Sequence, residues 1–345
     1  LFQNTTGKQR TAGIVVAALL IFVLISILII TYLLFTPWSV PSDEEGIRIT
    51  IQRGMTPQAI ARLLHGREVI PSSARFLWAG KIMGVNRALQ AGEYRFQGRL
   101  NNYTVLRMLS RGRVIYEKVT FPEGTQAIHM ADILENRLGL NRSRFIALLQ
   151  DTGMVRKLNV PGPGLEGYLY PDTYFFPRNA TPEQILETMV ERFFQVFSDS
   201  LQVRAGTINM SVREVVTLAS IVEGEAILDS ERATIAAIYL NRLKRNMLLQ
   251  ACPTIQYIID DGPRRLLTKD LEIESPYNTY LHAGLPPGPV NNPGRASLLA
   301  VLYPARVDYL YMVANGDGSH TFSRNLQDHL RAKRHFDRNY RSRNP

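Results

Sequence analysis

The chain has 345 residues, 45% of them apolar, enough for about two domains with ordinary cores, so disorder as the dominant state is excluded. Forty Lys and Arg against thirty Asp and Glu give a formal charge of +10, which favours an acidic partner: a membrane surface, an anionic polymer or nucleic acid. A single cysteine, Cys252, excludes an intrachain disulfide framework, and six scattered histidines form no cluster with zinc spacing, so neither metal nor organic cofactor is expected.

The first element is an uncharged run of 22 residues from Ile14 to Phe35. As a helix rising 1.5 Å per residue it reaches about 33 Å and spans a bilayer. Tyr32, Phe35, Pro37 and Trp38 close the run where a cleaved signal would carry a small-x-small site, so a retained anchor is expected rather than a signal peptide or a core helix. Lys8 and Arg10 precede it, and Asp43, Glu44 and Glu45 come after it. The positive-inside rule then places residues 1–13 in the cytoplasm and everything beyond Trp38 outside the cytoplasmic (inner) membrane, in a single pass. Nucleic acid lies on the other side, which leaves anionic lipid or cell-wall polymer as the partner of the basic charge.

Residues 36–46 have the polar, turn-rich composition of a linker. From Ile47 the pattern predicts a strand (Ile47–Ile51), a turn at Arg53-Gly-Met-Thr56 with Thr56 as N-cap, and a helix opened by Pro57. The same order returns at Lys118–Phe121, Pro122-Glu-Gly-Thr125 and a helix carrying Ile128, Ala131, Ile133 and Leu134, which suggests a duplicated α/β unit. Between the copies, Ala91–Phe96 reads as a strand and Thr104–Leu109 as a helix. The block 47–160 is expected to be one binding module, closed by the loop Val160-Pro-Gly-Pro-Gly164.

Beyond that loop, residues 161–345 are expected to form a second domain, helical at its centre. Thr181-Pro-Glu-Gln opens one helix and the capping box Ser211-Val-Arg-Glu214 opens another that runs to about Ala226. Asp229-Ser230 recaps a third over roughly 231–245. A strand is expected at Tyr309–Val313, then a basic helical tail whose Arg331–Arg343 face is solvated or lies near anionic wall or lipid. The fold class is therefore α+β: one transmembrane helix, a small α/β module and a mainly helical α+β domain.

Chemistry concentrates in Ala219-Ser-Ile-Val-Glu-Gly-Glu-Ala226. Glu223 and Glu225, two residues apart on a helix, are about 200° apart and cannot share a face, so at most one enters a given cleft. Either both are ion-paired or solvated carboxylates at a helix end, or one belongs to a site. Gly224 favours the site, because a helical Gly costs roughly 1 kcal/mol against Ala and implies close approach of another group. A carboxylic acid on an apolar helix can keep its proton near neutrality, as a general acid for a glycosidic oxygen must.

Six ordered segments then match a known pattern: Leu165-Glu-Gly-Tyr-Leu-Tyr-Pro-Asp-Thr-Tyr174, Ala219–Glu225, Ile238-Tyr-Leu-Asn-Arg-Leu243 with Leu249-Gln250 and Pro253-Thr254, Ser275-Pro-Tyr-Asn-Thr-Tyr280, Gly284-Leu-Pro-Pro-Gly288 and Gly318-Ser-His-Thr-Phe322. Together they closely resemble the MltG (YceG-like) endolytic murein transglycosylases, over the anchor, the 47–160 region, which is then LysM-like and glycan-binding, and the 161–345 domain. The resemblance implies that Glu225 is the catalytic acid/base, with Gly224 where the family usually has Lys. It also implies endolytic cleavage of the MurNAc-β-1,4-GlcNAc bond in nascent peptidoglycan strands, leaving 1,6-anhydroMurNAc ends and terminating elongation. Peptidoglycan synthases are the candidate protein partners.

The other candidate substrate-binding residues are Glu223, Glu166, Tyr168, Asp172, Tyr174, Asn241, Gln250, Tyr277, Asn278, Thr279 and His320. Glu166 and Asp172 flank an aromatic stretch in which Tyr168 and Tyr174 either stack on sugar or hold a tyrosine-rich turn. Tyr277, Asn278 and Thr279 suit an N-acetyl group or peptide stem, or else build a structural loop. Asn241 and Gln250 either orient Glu225 or the sugar, or cap a neighbouring loop. His320 either binds substrate or is a satisfied structural histidine. Two rival functions stay open: a glycoside hydrolase, favoured if Glu166 or Asp172 stands beside Glu225, and a non-enzymatic anchored wall-binding scaffold.

Overall fold

The computed structural model describes residues 5–41, 46–52, 54–112 and 116–343, with side-chain surroundings within 14–336. It divides into two compact units, one of Leu1–Glu117 with Pro177–Asn179 and one of Lys118–Phe176 with Ala180–Pro345.

The first unit begins with α1 (Thr5–Phe35), whose segment Ile14–Phe35 is long and apolar enough to cross a membrane and is exposed except at Ser26, Leu33 and Leu34, compatible with a single-pass anchor. The C-terminal end of α1 is tied down, since Asn102 Nδ2 donates to Leu33 O at 2.7 Å and the Arg75 guanidinium lies 4.5 Å from the Tyr32 ring centre. The unit continues with β1 (Trp38–Val40), β2 (Ile47–Ile51), α2 (Pro57–Gly66), α3 (Ser73–Ile82), β3 (Gly92–Phe96), β4 (Gly98–Leu100) and α4 (Asn102–Ser110). β1 pairs with β4 and β2 with β3, both antiparallel.

Trp38–Val40, expected to be linker, is thus a strand: Val40 turns into the core and Trp38 Nε1 donates to Val69 O at 2.8 Å. Asp43, Glu44, Glu45 and Arg53 lie outside the described residues. Thr56 caps α2 as its sequence predicts, accepting from Ala59 N at 3.2 Å, and period-3.6 spacing turns Ile60, Ala61 and Leu64 inward. They meet Ile49, Ile51, Phe76, Tyr94, Phe96 and Leu106 in a core of their own.

The second unit takes most of β5 (Tyr116–Thr120), then α5 (Ala127–Leu138), α6 (Arg142–Leu149), α7 (Thr152–Lys157), β6 (Thr173–Pro177), α8 (Pro182–Val196) and α9 (Asp199–Thr207). Next come α10 (Val212–Glu225), α11 (Asp229–Lys244), α12 (Cys252–Gln256), a 3-10 turn at Thr268–Glu272, α13 (Arg295–Leu302), β7 (Tyr311–Ala314), β8 (His320–Ser323) and α14 (Leu326–Arg343). Strands occur here only as the pairs β5–β6 and β7–β8 among the described residues, so the class is α+β with helices dominant.

The boundary expected near 160 falls elsewhere. Val119, Phe121, Met130, Phe145 and Val160 share one core with Leu165, Phe193 and the apolar side of α10, so 118–160 packs with the C-terminal helices. The second strand-turn-helix copy exists as β5 and α5, but it belongs to a different unit from the first.

α10 runs through the middle of this core. Its N-terminus is closed by the predicted capping box: Glu214 N donates to Ser211 Oγ at 3.2 Å and Ser211 N to Glu214 Oε2 at 2.7 Å. Every residue from Val215 to Val222 is buried, which fixes the helix's rotation and therefore where its last turn points.

Candidate active site at the end of helix α10

The last turn of α10 sends its two glutamates to separate surroundings, as their angular spacing requires. Glu223 Oε1 accepts from Arg232 Nη1 at 2.9 Å and its Oε2 from Gly294 N at 2.9 Å. Both side chains of this ion pair are under a tenth exposed. Arg232 continues to Ser297 Oγ at 2.6 Å and Asp229 Oδ1 at 2.8 Å. Glu223 therefore joins α10, α11 and the start of α13, with both carboxylate oxygens already engaged in holding these elements together. Nearby Glu123 is pushed up, first by burial and then by the charge of Glu223.

Glu225 meets neutral donors instead. Its Oε1 accepts from Tyr239 OH at 3.0 Å and from Cys252 N at 3.1 Å. Burial raises its pKa above the ordinary carboxylate value, against the lowering effects of Tyr239, Cys252 N–H and the more distant charges of His320 and Arg242. With Oε1 occupied by two donors, a protonated Glu225 carries its hydrogen on Oε2. The carboxyl is thus held by one oxygen, and among the described residues no hydrogen bond engages the other, the side from which a protonated carboxyl would donate.

Gly224 explains itself at this point. A Cβ there would stand 2.7 Å from both Cβ and Cγ of Pro253, so the proline ring packs directly on the helix backbone. Because Pro253 is next in the chain to Cys252, the same contact positions the amide that bonds Glu225. The close approach that a helical glycine implied is this ring, and no space remains for the lysine expected from the resemblance.

The remaining candidates sort by what already holds them. Tyr168 is fully buried with its ring 5.1 Å from Phe193, and Tyr174 is buried between Phe121 and Phe176 with its hydroxyl on Tyr170 O at 2.6 Å. Both rings belong to the core, so neither face is open to a sugar. Asp172 pairs with Arg192 at 2.9 Å. Glu166 accepts from Ala127 N at 3.0 Å, at the start of α5, and from Asn292 Nδ2 at 2.8 Å, and burial pushes its pKa up to about 8.

Asn241 Nδ2 is spent on Val307 O and Tyr309 O, at 3.0 and 3.1 Å. Asn278 Nδ2 holds Leu271 O and Ile273 O while its Oδ1 accepts from Tyr280 N. Thr279 Oγ1 accepts from Ala251 N at 3.0 Å, and its carbonyl accepts from Gln250 N. These are scaffold bonds: the Ser275–Tyr280 loop braces the 250–254 segment that carries Cys252 N–H. Gln250 is exposed, in a left-handed conformation (φ 49°), and Tyr277 is half-buried against Tyr257.

His320 is held by Glu231, through Nδ1 at 2.7 Å and through its backbone N–H at 3.0 Å. Tyr239 and Arg242 were passed over in the sequence, although they lie in the same segment as Asn241 and, three apart on α11, share a face. Arg242 ties Leu249 O at 2.6 Å and Leu310 O at 2.7 Å, linking the segment before Cys252 to the start of the β7–β8 hairpin. Asn291 was also missed: its Nδ2 donates to Ser220 O on α10 at 2.8 Å, and its buried Oδ1 has no partner among the described residues.

Among the described residues no group of three or more His, Cys, Asp or Glu is gathered as metal ligands would be. A hollow of about 470 Å³ lies at the opposite end of α10, lined by Arg213, Glu214, Thr217, Leu240 and Leu285. Eleven residues of helix, about 16 Å, separate Glu214 from Glu225.

Known proteins resemble this chain over most of its length. The YceG-like family model matches residues 49–335. An endolytic murein transglycosylase of Bacillus subtilis is 32% identical over 310 residues, covering 84% of each chain. One from Streptococcus pneumoniae is 28% identical over 84% of this chain, which spans 58% of that longer relative. A crystal structure of a YceG-like protein from Listeria monocytogenes superposes with a TM-score of 0.58 at 31% identity, covering 84% of this chain and 99% of the other. A match of this extent places the chain in the YceG-like family.

Proposed function

We propose that this protein is a membrane-anchored lytic transglycosylase that cuts nascent peptidoglycan strands internally, with Glu225 as its acid and base. The observation that carries this reading is the environment of Glu225: a partly buried carboxyl that burial shifts towards its protonated form, held by one oxygen on neutral donors. Glu225 protonates the glycosidic oxygen of the MurNAc-β-1,4-GlcNAc bond, and the bonding pair leaves with that oxygen. The substrate's own N-acetyl oxygen relieves the charge left at C1. The C6 hydroxyl of the same MurNAc then closes on C1 while the Glu225 carboxylate takes its proton, which gives a 1,6-anhydro end, restores the acid and consumes no water; the intramolecular attack has a high effective concentration.

A hydrolase would pair two carboxylates about one sugar bond. Here Glu166 is bonded to Ala127 N and Asn292, Asp172 to Arg192, and the charges acting on Glu225 are those of His320 and Arg242. That distribution supports a single carboxyl at the reacting bond. In the same reading the α1 span anchors the chain with residues 1–13 in the cytoplasm, and the enzyme works on strands just outside the membrane, where peptidoglycan synthases deliver them. The first unit serves as the LysM-like glycan-binding module, with exposed Trp78 on α3 as an aromatic face for sugar.

The test is mass spectrometry of uncrosslinked glycan strands incubated with the detergent-solubilised chain, as wild type and as Glu225→Gln. New internal 1,6-anhydro ends from wild type alone are expected. Reducing ends would make the protein a hydrolase, and absence of cleavage by either would make it a scaffold.

A further inference from the structure

The basic charge of the chain is unevenly spread. Residues 46–117 carry twelve Lys and Arg against three Asp and Glu, and counting Asp43, Glu44 and Glu45 of the preceding segment still leaves an excess of six out of the chain's ten. This is the unit that α1 enters, and its packing fixes which part of it stands at the membrane. A span of 22 residues rises about 33 Å, so Tyr32–Phe35 reach the headgroup layer beyond a hydrocarbon core about 30 Å thick. Asn102 Nδ2 donates to Leu33 O at 2.7 Å, the Tyr103 ring lies 5.3 Å from that of Phe35, and Arg75 Nη2 donates to Tyr32 O at 3.3 Å. These contacts hold Arg75 and the start of α4 at headgroup depth.

What α4 presents there is a row of donors. Tyr103, Arg107 and Arg111 follow at four-residue intervals along one stripe, while Val105, Leu106 and Leu109 face the core. With Thr104 and Met108 the stripe lines a hollow of about 220 Å³. Arg107 Nη1 donates to Tyr103 OH at 2.7 Å, which keeps its guanidinium against the ring that meets Phe35, and Arg111 is exposed. Each interval advances about 6 Å along the helix, so Arg111 starts within about 12 Å of Tyr103 and its long stem can turn back towards the interface. Among the described residues no carboxylate pairs with Arg75, Arg107 or Arg111. Two guanidiniums, a phenol and a hydroxyl around one hollow, with no acid in its lining, suit phosphate oxygens, which guanidinium meets in bidentate pairs.

We propose that this hollow binds the headgroup phosphate of an anionic phospholipid in the membrane that α1 crosses, with Arg75 adding charge to the same surface. This rests on the anchor reading above and is independent of the chemistry at Glu225. Held by lipid as well as by α1, the first unit lies on the bilayer surface instead of pivoting on its anchor.

Native mass spectrometry of the full-length detergent-solubilised chain, titrated with phosphatidylglycerol or with net-neutral phosphatidylcholine, gives the affinity for the first bound lipid. An arginine beside an anionic lipid surface contributes about fivefold, so wild type is expected to bind phosphatidylglycerol at least tenfold tighter than phosphatidylcholine. Arg107→Gln/Arg111→Gln should bring the two lipids within about threefold of each other. Arg62→Gln/Arg67→Gln, which removes the same charge from exposed positions at α2, should keep the wild-type preference. Equal binding of both lipids by wild type, a preference retained by a folded Arg107/Arg111 variant, or an equal loss in the α2 variant would each overturn the proposal. So would displacement of the lipid by soluble glycerol 3-phosphate at matched concentration, which would make the hollow a site for phosphate in solution. Should the double variant not fold, Arg111→Gln alone decides, by an expected loss of about fivefold in the preference. Carbonate extraction of the chain from vesicles reports the anchor separately: release would defeat the anchor reading and the proposal with it, whereas a negative lipid result leaves that reading standing.

Discussion

Glu223 and Glu225 share a helix turn, a charge and a chemical type, yet their surroundings are opposite. Glu223 faces a guanidinium and a backbone amide and is held as an anion between α10, α11 and α13. Glu225 faces a phenol and a backbone amide, and burial shifts it towards its neutral form. What separates the structural carboxylate from the proposed acid is the charge of the nearest partner, and the helix supplies that difference by turning about 200° between the two positions. Gly224 between them makes the asymmetry possible, since it lets Pro253 bring the Cys252 amide within reach of Glu225.

The sharpest way to break this comparison is to neutralise each carboxylate alone. Glu225→Gln keeps the shape and the Oε1 acceptor but removes the transferable proton, so cleavage should drop about 10²- to 10⁴-fold or more, with thermal stability within about 1 kcal/mol of wild type. Glu223→Gln removes the buried charge opposite Arg232 and leaves it Ser297 and the exposed Asp229, so it should cost about 1–3 kcal/mol in denaturant unfolding. Its activity per folded molecule should stay near wild type.

Next in size is Gly224→Ala. A methyl in the Pro253 contact should cost about 1–3 kcal/mol despite the better helix propensity of alanine, and the displaced Cys252 amide should lower the cleavage rate about tenfold. Glu223→Gln would lose stability alone, so Gly224→Ala is set apart by moving both readouts. Tyr239→Phe removes a bond that lowers the Glu225 pKa. A general acid loses activity as pH rises through its pKa, so a pH-rate profile should show that alkaline limb displaced to higher pH, with a severalfold lower maximum.

A last effect is read in the pH dependence of stability and not in the cleavage rate, and concerns Glu166. Its folded pKa of about 8 lies above the unfolded value of 4.5, so its contribution to stability is fully present below about pH 4.5 and is lost as pH rises through 8. Glu166→Gln should therefore flatten the fall of the unfolding midpoint across that window relative to wild type.

Much of the site was legible in the sequence. The capping box Ser211–Glu214, the separation of the two glutamates and the demand of Gly224 for a close neighbour all come from helix geometry, and all are present in the fold. What the sequence could not supply was the far end of each contact. Asn241, Asn278 and Thr279 looked like ligand-binding side chains because polar groups in a motif invite that reading, but their bonds are consumed by loop carbonyls and amides distant in sequence. Tyr239 was passed over, because only the return of the chain at Cys252 shows that its hydroxyl and that amide converge on one oxygen. The domain boundary was misplaced for a related reason. Val160-Pro-Gly-Pro-Gly164 has the composition of a linker, but a loop can be turn-rich and still lie within one core, and Val160 and Leu165 on either side are both buried in the same cluster.

The central claim is that chemistry belongs to Glu225 and architecture to Glu223. The most direct measurement is the initial rate of glycan-strand cleavage per folded molecule for Glu223→Gln and Glu225→Gln, at a temperature where unfolding curves show both to be folded. The account predicts a near wild-type rate for Glu223→Gln and a loss of at least a hundredfold for Glu225→Gln. Equal losses in the two variants, or a larger loss in Glu223→Gln, would contradict it.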